Sequence, residues 1–88
     1  MPVVVHIPSH MRDMSGGRAR VEVPAGTLRS VFDALEERCP GIRELILDDG
    51  RIRGDLAVAI NTTVTENNLL ERVEEGDEVH LVPAIAGG

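Results

Sequence analysis

Lysine is absent from this sequence, Phe32 is its one aromatic residue and Cys39 its one cysteine. Without lysine there is no Schiff-base nucleophile, no phosphate-loop lysine and no acceptor for an isopeptide bond. One aromatic face cannot build the stacking platform that single-stranded nucleic acid needs. A lone cysteine excludes an intramolecular disulfide and any multi-cysteine metal site. Positive charge is also scarce: nine Arg stand against fifteen Asp and Glu, for a net charge of -6. A chain of that balance repels phosphate backbones. No apolar run approaches the length of a membrane span, and the opening Met-Pro-Val-Val-Val-His lacks the basic segment and long apolar stretch of a secretory signal. The expected location is cytoplasmic, with neither nucleic acid nor membrane as a partner. Asn61-Thr62-Thr63 matches a glycosylation acceptor, which has no role without export.

What is present suits one small globular domain. The chain has 88 residues, 42% of them apolar, enough for a single core with a radius of gyration near ~12 Å. Val and Ile supply 17 of the apolar residues, and β-branched side chains favour a pleated sheet. Residues 3–7 alternate, with Val3, Val5 and Ile7 on one side, up to Pro8. Gly16-Gly17 offers a turn, and residues 18–23 alternate again with Val21 and Val23 inward and Arg20 and Glu22 outward, which predicts a hairpin. Thr27 is placed to cap a helix over residues 27–39, whose stripe of Leu28, Val31, Phe32, Leu35 and Cys39 follows three- and four-residue spacing before Pro40-Gly41 stops it.

Residues 42–47 predict a short helical turn and Asp48-Asp49-Gly50 a chain reversal. Leu56, Val58 and Ile60 form a third strand. Asn61-Thr62 turns the chain into a short strand at Thr63-Val64. Residues 67–73, with Leu69, Leu70 and Val73, predict a single helical turn. The turn Glu75-Gly76-Asp77 leads into a last strand in which Val79 and Leu81 alternate with Glu78, His80 and Val82. One amphipathic helix needs a sheet to bury its stripe. The fold class expected is therefore α+β: a mixed sheet of four to five strands crossed by one main helix, the β-grasp or ubiquitin-like arrangement. The domain expected spans residues 1–82, followed by a flexible tail over 83–88.

No catalytic set is visible. His6 and His10 are separated by Pro8, which forbids the helix that would bring both imidazoles to one metal, so no metal site and no bound cofactor is expected. Cys39 reads as a small hydrophobe of the helical stripe, and Gly16-Gly17 as a plain turn, since it leads into a strand rather than a helix N-terminus. Glu71, Glu74, Glu75, Asp77 and Glu78 crowd before the last strand, either as a solvated loop or as an acidic patch that steers a basic partner. The outer sheet face expected to meet partners bears Val4, His6, His80 and Val82.

The chemistry expected lies in the tail of Pro83, Ala84, Ile85, Ala86, Gly87 and Gly88. It follows a core strand without a linker, carries no side-chain charge, and reaches roughly 20 Å at about 3.3 Å per residue. Two glycines pass through a narrow channel and accept backbone angles closed to other residues. The group to be delivered is then the carboxylate of Gly88, suited to activation by ATP as an acyl-adenylate and conversion to a thiocarboxylate, with all catalysis supplied by a partner.

From Gly76 through Gly88 the sequence GDEVHLVPAIAGG resembles the ThiS/MoaD family of ubiquitin-like sulfur carriers, with their GDEV strand and P-A-(V/I)-A-G-G tail. The order of elements is similar as well. The first hairpin, through Val3, Val5, Ile7-Pro8, Arg12 and Ser15-Gly16-Gly17, and the helix start at Thr27-Leu28 are similar to the branch serving cysteine biosynthesis, the CysO type. Asn61-Thr62 departs from the Asn-Gly of many relatives, and Thr fits a left-handed position poorly. The resemblance implies a protein co-substrate rather than an enzyme, with Gly88 adenylated by an ATP-dependent enzyme of the ubiquitin-activating type. The thiocarboxylate would attack an aminoacrylate on a pyridoxal-phosphate cysteine synthase, and a zinc peptidase would release cysteine. The alternative within the family is the small subunit of molybdopterin synthase, whose acceptor is the large subunit. The alternative of another class is a ubiquitin-like module that binds partners non-covalently and never activates its glycines.

Overall fold

A computed structural model describes residues 1–65 and 68–83. The first alternating segment is strand β1 (Val3–His6), with Val3 and Val5 fully buried. Strand β2 (Arg20–Val23) runs antiparallel to it, Val3 opposite Val23 and His6 opposite Arg20, and buries Val21 and Val23 as the alternation predicts. Their connection is a knitted loop rather than a tight turn. A 3-10 turn (Ser9–Met11) drives Met11 into the core. The buried Ser15 hydroxyl donates to the carbonyls of Arg12 and Arg18, and Arg12 Nε donates to the Ile7 carbonyl. Gly16 and Gly17 close the loop with φ of 68° and 86°, a region costly for residues with a Cβ.

Helix α1 (Leu28–Arg38) starts where expected: Thr27 Oγ1 accepts a hydrogen bond from the Ser30 backbone N–H. Leu28, Val31, Phe32, Leu35 and Cys39 are all fully buried, so the helical stripe faces the sheet. Helix α2 (Ile42–Ile46) follows after Gly41, which takes a left-handed φ of 97°. Glu36, on α1, accepts hydrogen bonds from the backbone N–H groups of Gly41 and Arg43, both at 2.9 Å, and so satisfies amides that the start of α2 leaves orphaned. Arg43 in turn pairs with Asp33. These two contacts lock the second helix against the first.

Asp48-Asp49-Gly50 is the turn of a small hairpin between β4 (Leu47–Asp48) and β5 (Arg51–Ile52), with left-handed φ at Asp49 and Gly50, the geometry that Asp-Gly favours in a two-residue hairpin. Strand β6 (Leu56–Ile60) turns through Asn61-Thr62 into β7 (Thr63–Val64). Asn61 alone takes the left-handed conformation there, at φ 57°, so Thr62 escapes the backbone it fits poorly.

The helical turn expected over residues 67–73 is not what forms. Asn67 lies outside the described residues, and residues 68–73 make a turn followed by strand β8 (Arg72–Val73), paired with β3 (Gly26–Thr27). The reason is tertiary: the carbonyls of Glu71 and Leu69 accept the backbone N–H groups of Leu28 and Arg29, first-turn amides of α1 that have no partner within the helix. A helical turn would consume those carbonyls locally.

The last strand, β9 (Glu78–Pro83), lies between β1, to which it is parallel, and β6, to which it is antiparallel. The five-stranded sheet has the order β2-β1-β9-β6-β7. A mixed sheet with a parallel central pair and one main helix packed on a single face is the β-grasp arrangement expected. Its radius of gyration, 11.8 Å, matches a compact chain of this length.

Candidate docking face and tail root

Pro83, expected as the first residue of the tail, is instead the last residue of β9. Glu78, Val79 and His80 pair with β1, whereas the ladder with β6 continues until Pro83 lies opposite Leu56. Beyond His80 the strand is therefore bonded on one side only. That is where a proline, lacking a backbone donor, fits a sheet. Pro83 thus belongs to the strand as its final residue, and Val79 and Leu81 pin that strand into the core. The other tail residues singled out from the sequence, Ala84, Ile85, Ala86, Gly87 and Gly88, lie outside the described residues.

The four residues expected on a partner face share the outer side of the sheet. Side chains alternate across a strand, so burying Val3, Val5, Val79 and Leu81 presents Val4, His6, His80 and Val82 outward. The register aligns Arg20, His6, His80 and Ala59 in one row across four strands, and Val82 beside Ala57 in another. Val82 keeps 48% of its surface exposed. Small alanines on β6 leave the face low beside it, a surface suited to an apposed flat partner.

His6 and His80 stack, with ring centroids 4.3 Å apart and planes 6° from parallel. His6 Nε2 also meets Glu78 Oε1 at 2.6 Å. The ligand atoms of His6, Glu78 and His80 all lie within 4.8 Å of one another. The sequence sets His10 apart from His6 because Pro8 intervenes; in the fold His10 is exposed on the 3-10 turn, and the imidazole beside His6 comes from the far end of the chain. Periodicity places His6 and His80 on the same kind of face, but the parallel register that makes them neighbours is a long-range fact.

The acidic segment divides into parts. Asp77 is structural: its carboxylate accepts from the Glu74 backbone N–H and from the Asn61 side-chain amide. Asn61 Oδ1 accepts the Glu78 backbone N–H, so one asparagine both turns the β6–β7 hairpin and fixes the start of β9. Glu78 belongs to the outer face, and Glu74 and Glu75 remain exposed around Gly76.

The two other candidates behave as packing and turn residues. Cys39 is fully buried, and that burial pushes its thiol above the usual range, the reverse of an activated nucleophile. Gly16-Gly17 leads into β2, not into a helix. Among the described residues, no helix is long and apolar enough to cross a membrane.

The chain matches the ThiS family over residues 5–88. It is 33% identical, across 94 aligned positions covering 100% of both chains, to the sulfur carrier protein CysO of Mycobacterium tuberculosis (strain ATCC 25618 / H37Rv). It is 34% identical over 76 positions to the molybdopterin synthase sulfur carrier subunit of Pyrenophora tritici-repentis, covering 82% of this chain and 75% of that one. A chain in the crystal structure of the Amycolatopsis orientalis BexX/CysO complex superposes with a TM-score of 0.90 at 30% identity, over 98% of this chain and 99% of that one. With a match that runs through nearly every residue and a fold that agrees with it, the chain belongs to the ThiS family.

Proposed function

We infer that this chain is a sulfur carrier whose reactive group is the carboxylate of Gly88. The observation that carries the reading is the full-length match to a sulfur carrier, CysO, at 33% identity. The half-exposed outer face and the anchoring of β9 up to Pro83 support it, because a delivered tail needs a rigid root and a surface to dock.

The chemistry belongs to an ATP-dependent adenylating partner. A Gly88 carboxylate oxygen attacks the α-phosphorus of ATP and pyrophosphate leaves. A sulfide-equivalent donor then attacks the carbonyl carbon of the acyl-adenylate; the new C–S bond forms as the C–O bond to AMP breaks, and a thiocarboxylate remains. The chain takes part as a co-substrate and holds no cofactor of its own. Gly87, Ala86, Ile85 and Ala84 form the segment that enters the partner, with Pro83 as its root. Val4, His6, His80 and Val82 are the surface the partner covers.

The match to CysO favours cysteine biosynthesis as the destination, with the thiocarboxylate sulfur adding to an aminoacrylate on a pyridoxal-phosphate enzyme and a zinc peptidase trimming the product. The match to a molybdopterin synthase sulfur carrier subunit favours a second acceptor, the large subunit of that synthase. Presenting the thiolated chain to both acceptor types in parallel separates the two, by which one consumes the thiocarboxylate. Deleting Gly88 abolishes transfer to either. A purely non-covalent module would keep its partner affinity after that deletion and never carry sulfur.

A further inference from the structure

We propose that His6, Glu78 and His80 form a binding site for a divalent transition-metal ion of the zinc class on the outer face of the sheet. Glu78 and His80 are alternate residues of β9 and so share a face, and the parallel register sets His6 directly beside His80. Three donor atoms, two imidazole nitrogens and a carboxylate oxygen, therefore stand within 4.8 Å of one another on two central strands of the sheet. The backbone that carries them is held by ladders on both sides, β2 beyond β1 and β6 beyond β9.

The adjustment that binding asks for is small. Tetrahedral zinc with ligand bonds of about 2.0–2.1 Å separates its donors by about 3.3 Å. The His6–Glu78 contact at 2.6 Å must open by under ~1 Å to reach that spacing, and the other two pairs lie within 4.8 Å. The stacked rings must also turn so that their lone pairs converge. Rotation about the histidine χ2 is soft, because that torsion is broad rather than confined to steep wells. All three side chains are on the solvent side, with His6 at 30% and Glu78 at 51% exposure, so none has to be dragged from the core.

The donor set selects the ion. Two imidazoles with one carboxylate suit zinc, copper or nickel, whereas calcium and magnesium prefer all-oxygen shells. Three protein ligands leave a fourth position open to solvent, as in zinc sites that exchange ligands rather than hold a fold together. Charge around the site favours a cation: Glu22 lies across from Val4 on β2, and the chain carries a net -6. Arg20, opposite His6, is the opposing charge in the row.

The test uses the untagged full-length chain titrated with zinc sulfate alone, followed by calorimetry and by histidine ring NMR. One ion binds per chain, the ring signals of His6 and His80 shift together, and those of His10 stay in place. His6→Ala and His80→Ala each weaken binding about tenfold or more, at least the loss seen when a metal's supporting residues are removed. His10→Ala leaves it unchanged. Calcium at the same concentration gives no response. Should either single variant lose its fold by circular dichroism, the ring shifts of the unmodified chain decide alone. Binding that survives both histidine replacements, or zinc-induced shifts at His10 rather than at His6 and His80, overturns the site.

Discussion

Pro83 lies opposite Leu56 at the last rung of the β6–β9 ladder, beyond His80, where the pairing with β1 has already ended. Pro83, the last described residue of β9, thus stands on a strand paired along one edge, next to Val82 on the outer face. Val82→Asp tests whether that face docks. Its side chain is 48% exposed, so the thermal midpoint should move little, with a stability change within about 0.5 kcal/mol. A charge set into an interface that must desolvate it should raise the KM of the adenylating enzyme for this chain about tenfold or more. Steady-state kinetics beside a thermal melt separate the two effects.

Glu36 ties α1 to the start of α2. Its carboxylate accepts the Gly41 and Arg43 amides, and those bonds hold it below the usual carboxylate range. A group with a lowered folded pKa contributes stability that is fully present above its unfolded value, about 4.3 for Glu, and is lost as pH falls through the lower folded value. Glu36→Ala should cost about 1 kcal/mol at neutral pH, the scale of a lost cap. The gap between variant and parent should shrink on acidification below about pH 4. Urea unfolding at neutral and acid pH measures both.

Ser15 holds the loop between β1 and β2. Its buried hydroxyl donates to the carbonyls of Arg12 and Arg18; in Ser15→Ala the Arg12 carbonyl keeps the backbone N–H groups of residue 15 and Gly17, and the Arg18 carbonyl loses the hydroxyl. The expected loss is about 1–3 kcal/mol, the cost of buried polar groups left unsatisfied. Chemical denaturation checks it, with adenylation kinetics at low temperature expected to stay close to those of the parent.

Helix α1 was legible because Thr27, the three-and-four spacing from Leu28 to Cys39, and Pro40-Gly41 are local signals that agree. The strands around Val5, Val21, Val58 and Val79 were legible from alternation, and the outer face followed from it. Leu69 and Leu70 misled, because what decides residues 68–73 is the need of the Leu28 and Arg29 amides for carbonyl partners, a demand made by another element. Asp48-Asp49-Gly50 announced a turn, but nothing local showed the flanking residues pairing as β4 and β5. The His6–His80 stack was invisible for a similar reason: parallel pairing joins segments from opposite ends of the chain, and no short-range pattern encodes its register. The tail chemistry is an expectation drawn from the uncharged segment ending in Gly87-Gly88 and from the resemblance of GDEVHLVPAIAGG to sulfur carriers, and its residues after Pro83 lie outside the described ones.

Adding one residue after Gly88 should leave the melting curve unchanged, since the addition lies beyond every strand among the described residues, and should abolish activation. Adenylate-dependent pyrophosphate release reads this directly. Full activity of the extended chain, without prior trimming, would contradict a mechanism that runs through the terminal carboxylate.

The most direct measurement is the intact mass of the chain after incubation with ATP, the adenylating enzyme and a sulfide donor. The predicted result is a gain equal to the exchange of one oxygen for sulfur, localised by fragmentation to Gly88 and absent when ATP is omitted. An unchanged mass with an enzyme that thiolates a control carrier in the same reaction would contradict the assignment of this chain as a sulfur carrier.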